Sequence, residues 1–128
     1  MSSPLSKRAL ILGTLMLALA VVFGAFGAHG LKATVSAEQL MVFETGVRYQ
    51  FYHGFGLIMA AICAAVFPGL KLNVTVAAFM AGIFIFSFNL YLYVLTDIKV
   101  FAMIVPVGGL MFILGWGNFL RQALKLKD

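Results

Sequence analysis

Apolar residues fall in four long runs separated by short polar breaks. Ala9–Leu31, Phe51–Leu70, Leu72–Thr96 and Val100–Leu120 contain no Asp, Glu, Lys or Arg. A helix needs about 20 apolar residues, at about 1.5 Å rise each, to cross the hydrocarbon of a bilayer, and each run is long enough. Backbone N–H and C=O groups find no partner in lipid, so a spanning run satisfies them internally, as helix. The pattern predicts an all-α integral membrane four-helix bundle in a single domain, 1–128, with spans at about 9–31, 51–70, 72–96 and 100–120.

The breaks set the connectivity. Pro68-Gly69-Leu70-Lys71 and Thr96-Asp97-Ile98-Lys99 are tight turns, and links this short make sequential helices antiparallel neighbours. The link after the first run is longer. Within it, Ser36-Ala37-Glu38-Gln39 reads as a capping box that starts a helix. Leu40, Val47 and Phe51 follow at helical spacing, which predicts a short interfacial helix over about 36–46, running on toward the second span and bent at Gly46 or Gly54. The first run follows Lys7 and Arg8 as a secretory signal does. It exceeds the usual apolar core of about 7–15 residues, so a retained span is expected.

Composition sharpens the class. Charged residues are 10% of the chain and hydrophobic residues 63%, whereas soluble domains carry about 25% charged residues. The formal charge of +5 does not point to nucleic acid, because the basic residues lie outside the apolar runs and form no face with aromatic platforms. They read as topology charge. An even number of spans puts both termini on one side, with Lys7, Arg8, Lys71, Arg121, Lys125 and Lys127; the other side has Lys32, Arg48 and Lys99. The excess of basic residues predicts cytoplasmic termini. Cys63 is the only cysteine, so no intrachain disulfide forms, and among alanines it reads as a small packing residue.

Small residues give close helix packing where lipid removes the hydrophobic drive. Ala20, Gly24 and Ala28 in the first run, Gly56, Ala60 and Ala64 in the second, and Ala78 and Gly82 in the third recur at four-residue steps. Pro106 in the fourth predicts a bend, and Gly108-Gly109 beside it admit a neighbouring backbone. Trp116, Tyr91 and Tyr93 lie near run ends and suit interfacial anchoring.

Polar residues concentrate in one half. His29 ends the first run, Glu44, Arg48, Tyr49, Tyr52 and His53 open the second, and Asn89 lies in the third. Glu44 and Arg48 are i,i+4 and can pair. Tyr49, Tyr52, His53, Gly56 and Ala60 share a face, which predicts a polar cluster pointing into the bundle with His29 and His53 at matching depth. Ionisable groups in a span mark a proton, ion or head-group site; equally, a polar clasp between helices uses them as glue. Two histidines without a further Cys or carboxylate at ligand spacing make no metal set, and a bis-histidine haem is a weaker alternative. No nucleophile elbow is present.

Three motifs carry a resemblance. Gly24-Ala25-Phe26-Gly27-Ala28-His29, then Glu44-Thr45-Gly46-Val47-Arg48-Tyr49-Gln50 with His53, then Val105-Pro106-Val107-Gly108-Gly109 with Gly115-Trp116 resemble the YgdD family of small membrane proteins, over nearly the whole chain. The resemblance implies a four-span protein of bacterial plasma membranes, with mitochondrial relatives. It implies no activity, cofactor or catalytic residue. The expectation is therefore a non-enzymatic scaffold, assembly factor or accessory subunit without cofactor, in contact with membrane lipid and with a second copy or a larger membrane complex. The alternative is a homo-oligomeric small transporter or channel working through the polar cluster.

Overall fold

The structure is a computed structural model that describes residues 3–128. Four helices, α1 (Pro4–His29), α2 (Ala37–Val66), α3 (Asn73–Thr96) and α4 (Lys99–Leu124), make up almost all of it. Each is long and apolar enough to cross a membrane. Ser3 caps α1, its hydroxyl accepting from Ser6 N at 3.1 Å, and Pro4 takes the first turn, where its missing N–H costs nothing. A single 3₁₀ turn, Leu31–Ala33, follows α1. Asp97 ends α3 in the left-handed conformation (φ 57°).

The helix expected after Ser36 is present, and Ser36 caps it as the capping box predicts, its Oγ accepting from Gln39 N at 3.1 Å. It does not stop or bend into a separate interfacial piece. It continues through Gly46 and Gly54 to Val66 as one 30-residue helix, about 45 Å long against about 30 Å of hydrocarbon. The second span thus begins well before Phe51, and this shifts the depth of every polar residue on it.

The helices pack in chain order, each antiparallel to the one before. Gly13 of α1 lies against Gly54 and Ile58 of α2, and Gly27 against Phe43. Gly46 of α2 meets Ser87 and Tyr91 of α3, and Gly56 meets Phe79. Gly82 of α3 meets Phe112 of α4, and Gly115 meets Phe79. The small-residue ridges are used in part. Ala20, Gly56, Ala60, Ala78 and Gly82 are buried, Gly24 packs on Val47 and Ala64 is partly buried, but Ala28 is exposed. The buried positions of α1 are Ser6, Ala9, Gly13, Met16, Ala20 and Gly27, steps of three, four or seven that follow a heptad instead of a strict four-residue ridge. Pro106 lies exposed within a helix that runs on past it, and of the neighbouring glycines Gly108 makes the close approach, its Cα face set on the Phe86 backbone, while Gly109 only touches the Phe86 ring.

Inside α3, Ile83–Phe88 is a π-helical segment, wedged between Gly46 and Gly108. In an unbroken α-helix Tyr91 would project about 160° away from Thr75, and Asn89 only about 40° from it. One extra residue in a π turn turns the downstream part back by about 100°. Tyr91 then joins Thr75, Ala78, Phe79 and Gly82 among the buried residues, and Asn89 leaves that face.

A methyl group at Gly108 would overlap the Phe86 amide, which is backbone and cannot swing aside; a methyl at Gly117 meets nothing within 4 Å. Gly108→Ala should destabilise the protein by about 1–3 kcal/mol through overpacking, and Gly117→Ala should stabilise it by about 0.5–1 kcal/mol by stiffening the helix. Thermal melts in detergent distinguish the two; equal melting of wild type and Gly108→Ala would refute the close α3–α4 contact.

Candidate functional site

The polar interior is built around Gln50, which is fully buried on α2. Its side-chain amide donates to the Met16 carbonyl of α1 at 2.8 Å, and its oxygen accepts from the Tyr91 hydroxyl of α3 at 2.7 Å. One side chain therefore ties three helices. Tyr91 is buried with its hydroxyl turned inward and packs on Phe23 and Phe43, so it is an internal strut and not an interfacial anchor.

His53, one turn further along the same side of α2, is also buried. Its Nδ1 lies 2.8 Å from Tyr49 O, and its Nε2 lies 3.0 Å from Trp116 Nε1 of α4. A carbonyl only accepts and an indole N–H only donates, so the partners fix the neutral tautomer with the proton on Nδ1. The ring stacks on Phe112 with centroids 3.5 Å apart and meets the Phe79 edge. Trp116, expected at an interface, instead serves as the donor to this imidazole. Toward the chain termini, Thr75 donates to Gly115 O at 3.2 Å and accepts from Asn118 Nδ2 at 2.9 Å, and Ser6 donates to Ala61 O at 2.7 Å.

The predicted cluster does not assemble. Gly27 lies against Phe43 and Leu17 against Gly54, which sets His53 level with Leu17, about 18 Å along the helix axis from His29. His29 is exposed at the end of α1, so the two histidines cannot share a haem or a metal ion. Among the described residues no group of three His, Cys, Asp or Glu side chains gathers. Glu44 and Arg48 are exposed and do not pair; Arg48 donates to Thr45 Oγ1 at 3.0 Å instead. Asn89, turned away by the π segment, donates back to Ile85 O at 2.8 Å. Tyr49 and Tyr52 stay together, edge to face at 5.5 Å, on the rim of a lateral groove.

That groove, between α2 and α4, encloses about 540 Å³ and is lined by Tyr49, Tyr52, His53, Phe86, Phe112 and Trp116 with residues around Pro106. A second groove of about 490 Å³, wholly apolar, lies between α1 and α3 over Phe23, Phe43 and Tyr91. Both open sideways. The sequence reading missed Gln50 because the second span was started at Phe51. The signal was there: Gly46, Gln50, His53 and Gly54 share one side of a helix that begins at Ser36.

Removing one end of the central bridge leaves the other buried and unpaired. Gln50→Leu should destabilise by about 1–3 kcal/mol, and Tyr91→Phe by about 0.6 kcal/mol, the usual size of such bonds in membranes. The double variant should lose less than the sum of the two, because they share one interaction. Detergent melts of the four proteins measure this; strict additivity would show that the bridge is not made.

Residues 23–109 match a family described as protein of unknown function (DUF423). The chain is 44% identical over 112 residues to the UPF0382 membrane protein SAB0533 of Staphylococcus aureus (strain bovine RF122 / ET3-1), covering 86% of this chain and 89% of that one. It is 41% identical over 121 residues to the UPF0382 membrane protein YwdK of Bacillus subtilis (strain 168), covering 93% and 98%. No solved structure matches. With four membrane-spanning helices and relatives that are membrane proteins matched along nearly their full length, the chain belongs to the DUF423 family of unknown function, the small membrane proteins its three motifs resemble.

Proposed function

We propose that this protein is a non-enzymatic component of the plasma membrane, a scaffold, assembly factor or accessory subunit that acts through lateral contacts with lipid and membrane-embedded partners. One observation carries the reading. Of the polar side chains of the interior, Gln50, His53, Thr75 and Tyr91 are hydrogen-bonded to one another, to Trp116 and Asn118, or to backbone carbonyls, and only the small Ser87 hydroxyl is left without a partner among the described residues of α3. Solute chemistry needs polar groups free to meet a substrate in a cavity. Here the concave surfaces in the spans are grooves open to the side, lined chiefly by apolar and aromatic residues. The competing reading, a small homo-oligomeric transporter, needs a polar path through the bundle, and the bonded polar groups do not offer one.

Purified protein in proteoliposomes should give no flux of protons, ions or small solutes above protein-free vesicles. Saturable flux that His53→Ala abolishes would establish the transporter reading in its place. The proposed orientation has both termini in the cytoplasm, from six basic residues on that side against Lys32 and Lys99 on the other, since Arg48 lies within the second span. A membrane-impermeant thiol reagent applied to intact cells, in a Cys63→Ala background, should then label Glu38→Cys and spare Lys125→Cys. The reverse pattern would invert the topology.

A further inference from the structure

We propose that the outward face of α2 is a self-association surface, on which Glu44 and Arg48 pair with the same residues of a second copy of this chain lying side by side in the same orientation.

Depth comes first. Phe43 lies on Gly27, Val47 on Gly24, and Gln50 on the Met16 carbonyl. Glu44 and Arg48 are thus level with the outer part of the charge-free Ala9–Leu31 run. Measured from its middle at Ala20, Arg48 sits at about 5 Å and Glu44 at about 10 Å, inside a hydrocarbon half-thickness of about 15 Å. Charges at such depth are strongly disfavoured unless paired. Both are exposed on the chain, and Arg48 is bonded to Thr45 instead of Glu44.

The face comes second. Glu44, Arg48, Tyr52, Phe55, Met59 and Ile62 are all exposed, at steps of three and four that make one ridge along α2. It lies opposite the residues that meet α1 and α3, such as Phe43, Gly46 and Gln50, and no other helix among the described residues covers it. The three-four spacing is that of a helix seam, and parallel helices in membranes pack with this geometry.

The charges identify the occupant. The face carries one acid and one base, one turn apart. A twofold axis along the membrane normal sets Glu44 of each copy one helical turn from the partner's Arg48, so that pairing across the seam matches both charges of both chains. The vertical offset of about 6 Å is closed by the arginine side chain, which already extends toward the Glu44 turn to reach Thr45. A partner offering a single charge would leave one of the two uncompensated.

The test is a charge swap on the full-length protein in lipid vesicles at graded dilution, with dimerisation read by energy transfer between labelled copies. Wild type should dimerise. Glu44→Arg and Arg48→Glu should each weaken dimerisation by about tenfold or more, since each places like charges together, and the double swap should restore it. In a Cys63→Ala background, Phe55→Cys and Ile62→Cys should form disulfide-linked dimers on oxidation, while Ile11→Cys and Leu114→Cys should not. Should the reversals fail to insert, Glu44→Gln with Arg48→Gln replaces them, and weaker dimerisation is again expected. A wild-type monomer, as when the side chains reach the headgroups or another protein covers the face, overturns the proposal. So do single reversals that leave the dimer intact, or crosslinks at the control positions. Vesicle flux is a separate readout, so failure of the dimer and failure of the non-enzymatic reading are told apart.

Discussion

A buried amide with nowhere else to turn organises this molecule. In hydrocarbon the Gln50 side chain has no water to bond, so its N–H and its oxygen must be met by protein. They are met by the Met16 carbonyl on α1 and the Tyr91 hydroxyl on α3, which requires both helices to approach α2 at the same level. Glycines one turn to either side of Gln50 permit that approach. At Gly46 a Cβ would fall 2.8 Å from the Tyr91 ring and 3.2 Å from Ser87 O; at Gly54 it would fall 2.8 Å from Leu17. The spacing Gly46, Gln50, Gly54 is thus a single device. The glycines bring the neighbours in, and the amide holds them where apolar surface alone gives little preference over lipid.

The π segment of α3 is a consequence of the same demand. Thr75 and Phe79 face α4, with Thr75 bonded to Gly115 O, and Tyr91 must face Gln50. A regular helix cannot present both on one side, since sixteen residues carry the second about 160° round. A turn widened by one residue at Ile83–Phe88 reconciles them. It leaves Ser87 Oγ buried without a hydrogen-bond partner, a local cost accepted because the surrounding contacts with Gly46 and Gly108 fix the backbone there.

This explains what was legible in the sequence. Four charge-free runs gave four spans, because the cost of charge in lipid is written directly in composition. The capping box at Ser36 was readable because it is local chemistry. Residue facing was not readable past Ile83, since the π turn arises from tertiary demands and leaves no mark in the pattern. An ideal 3.6-residue period put Asn89 on the packed face and Tyr91 outside, the opposite of what forms. Depth on α2 was misjudged for another reason. Glu44 and Arg48 look like the end of a span to any rule that stops at charges, yet α1 and α3 cover that level with charge-free helix. His53 was correctly placed on the inward side of α2, but its partners are Tyr49 O and Trp116, which no spacing within α2 could name.

The two sides of α2 answer one physical rule differently, and the difference separates structure from interaction. On the inner side every polar side chain at mid-depth, Gln50 and His53, finds its partners within the chain. Groups so bonded stabilise the bundle. On the outer side Glu44 and Arg48 share the same depth range and find no opposite charge among the described residues. A sequence under the constraint of lipid solvent does not need them for its fold, because an apolar pair there would be cheaper. In the proposed dimer such a pair finds its match outside the chain, across the outer face of α2.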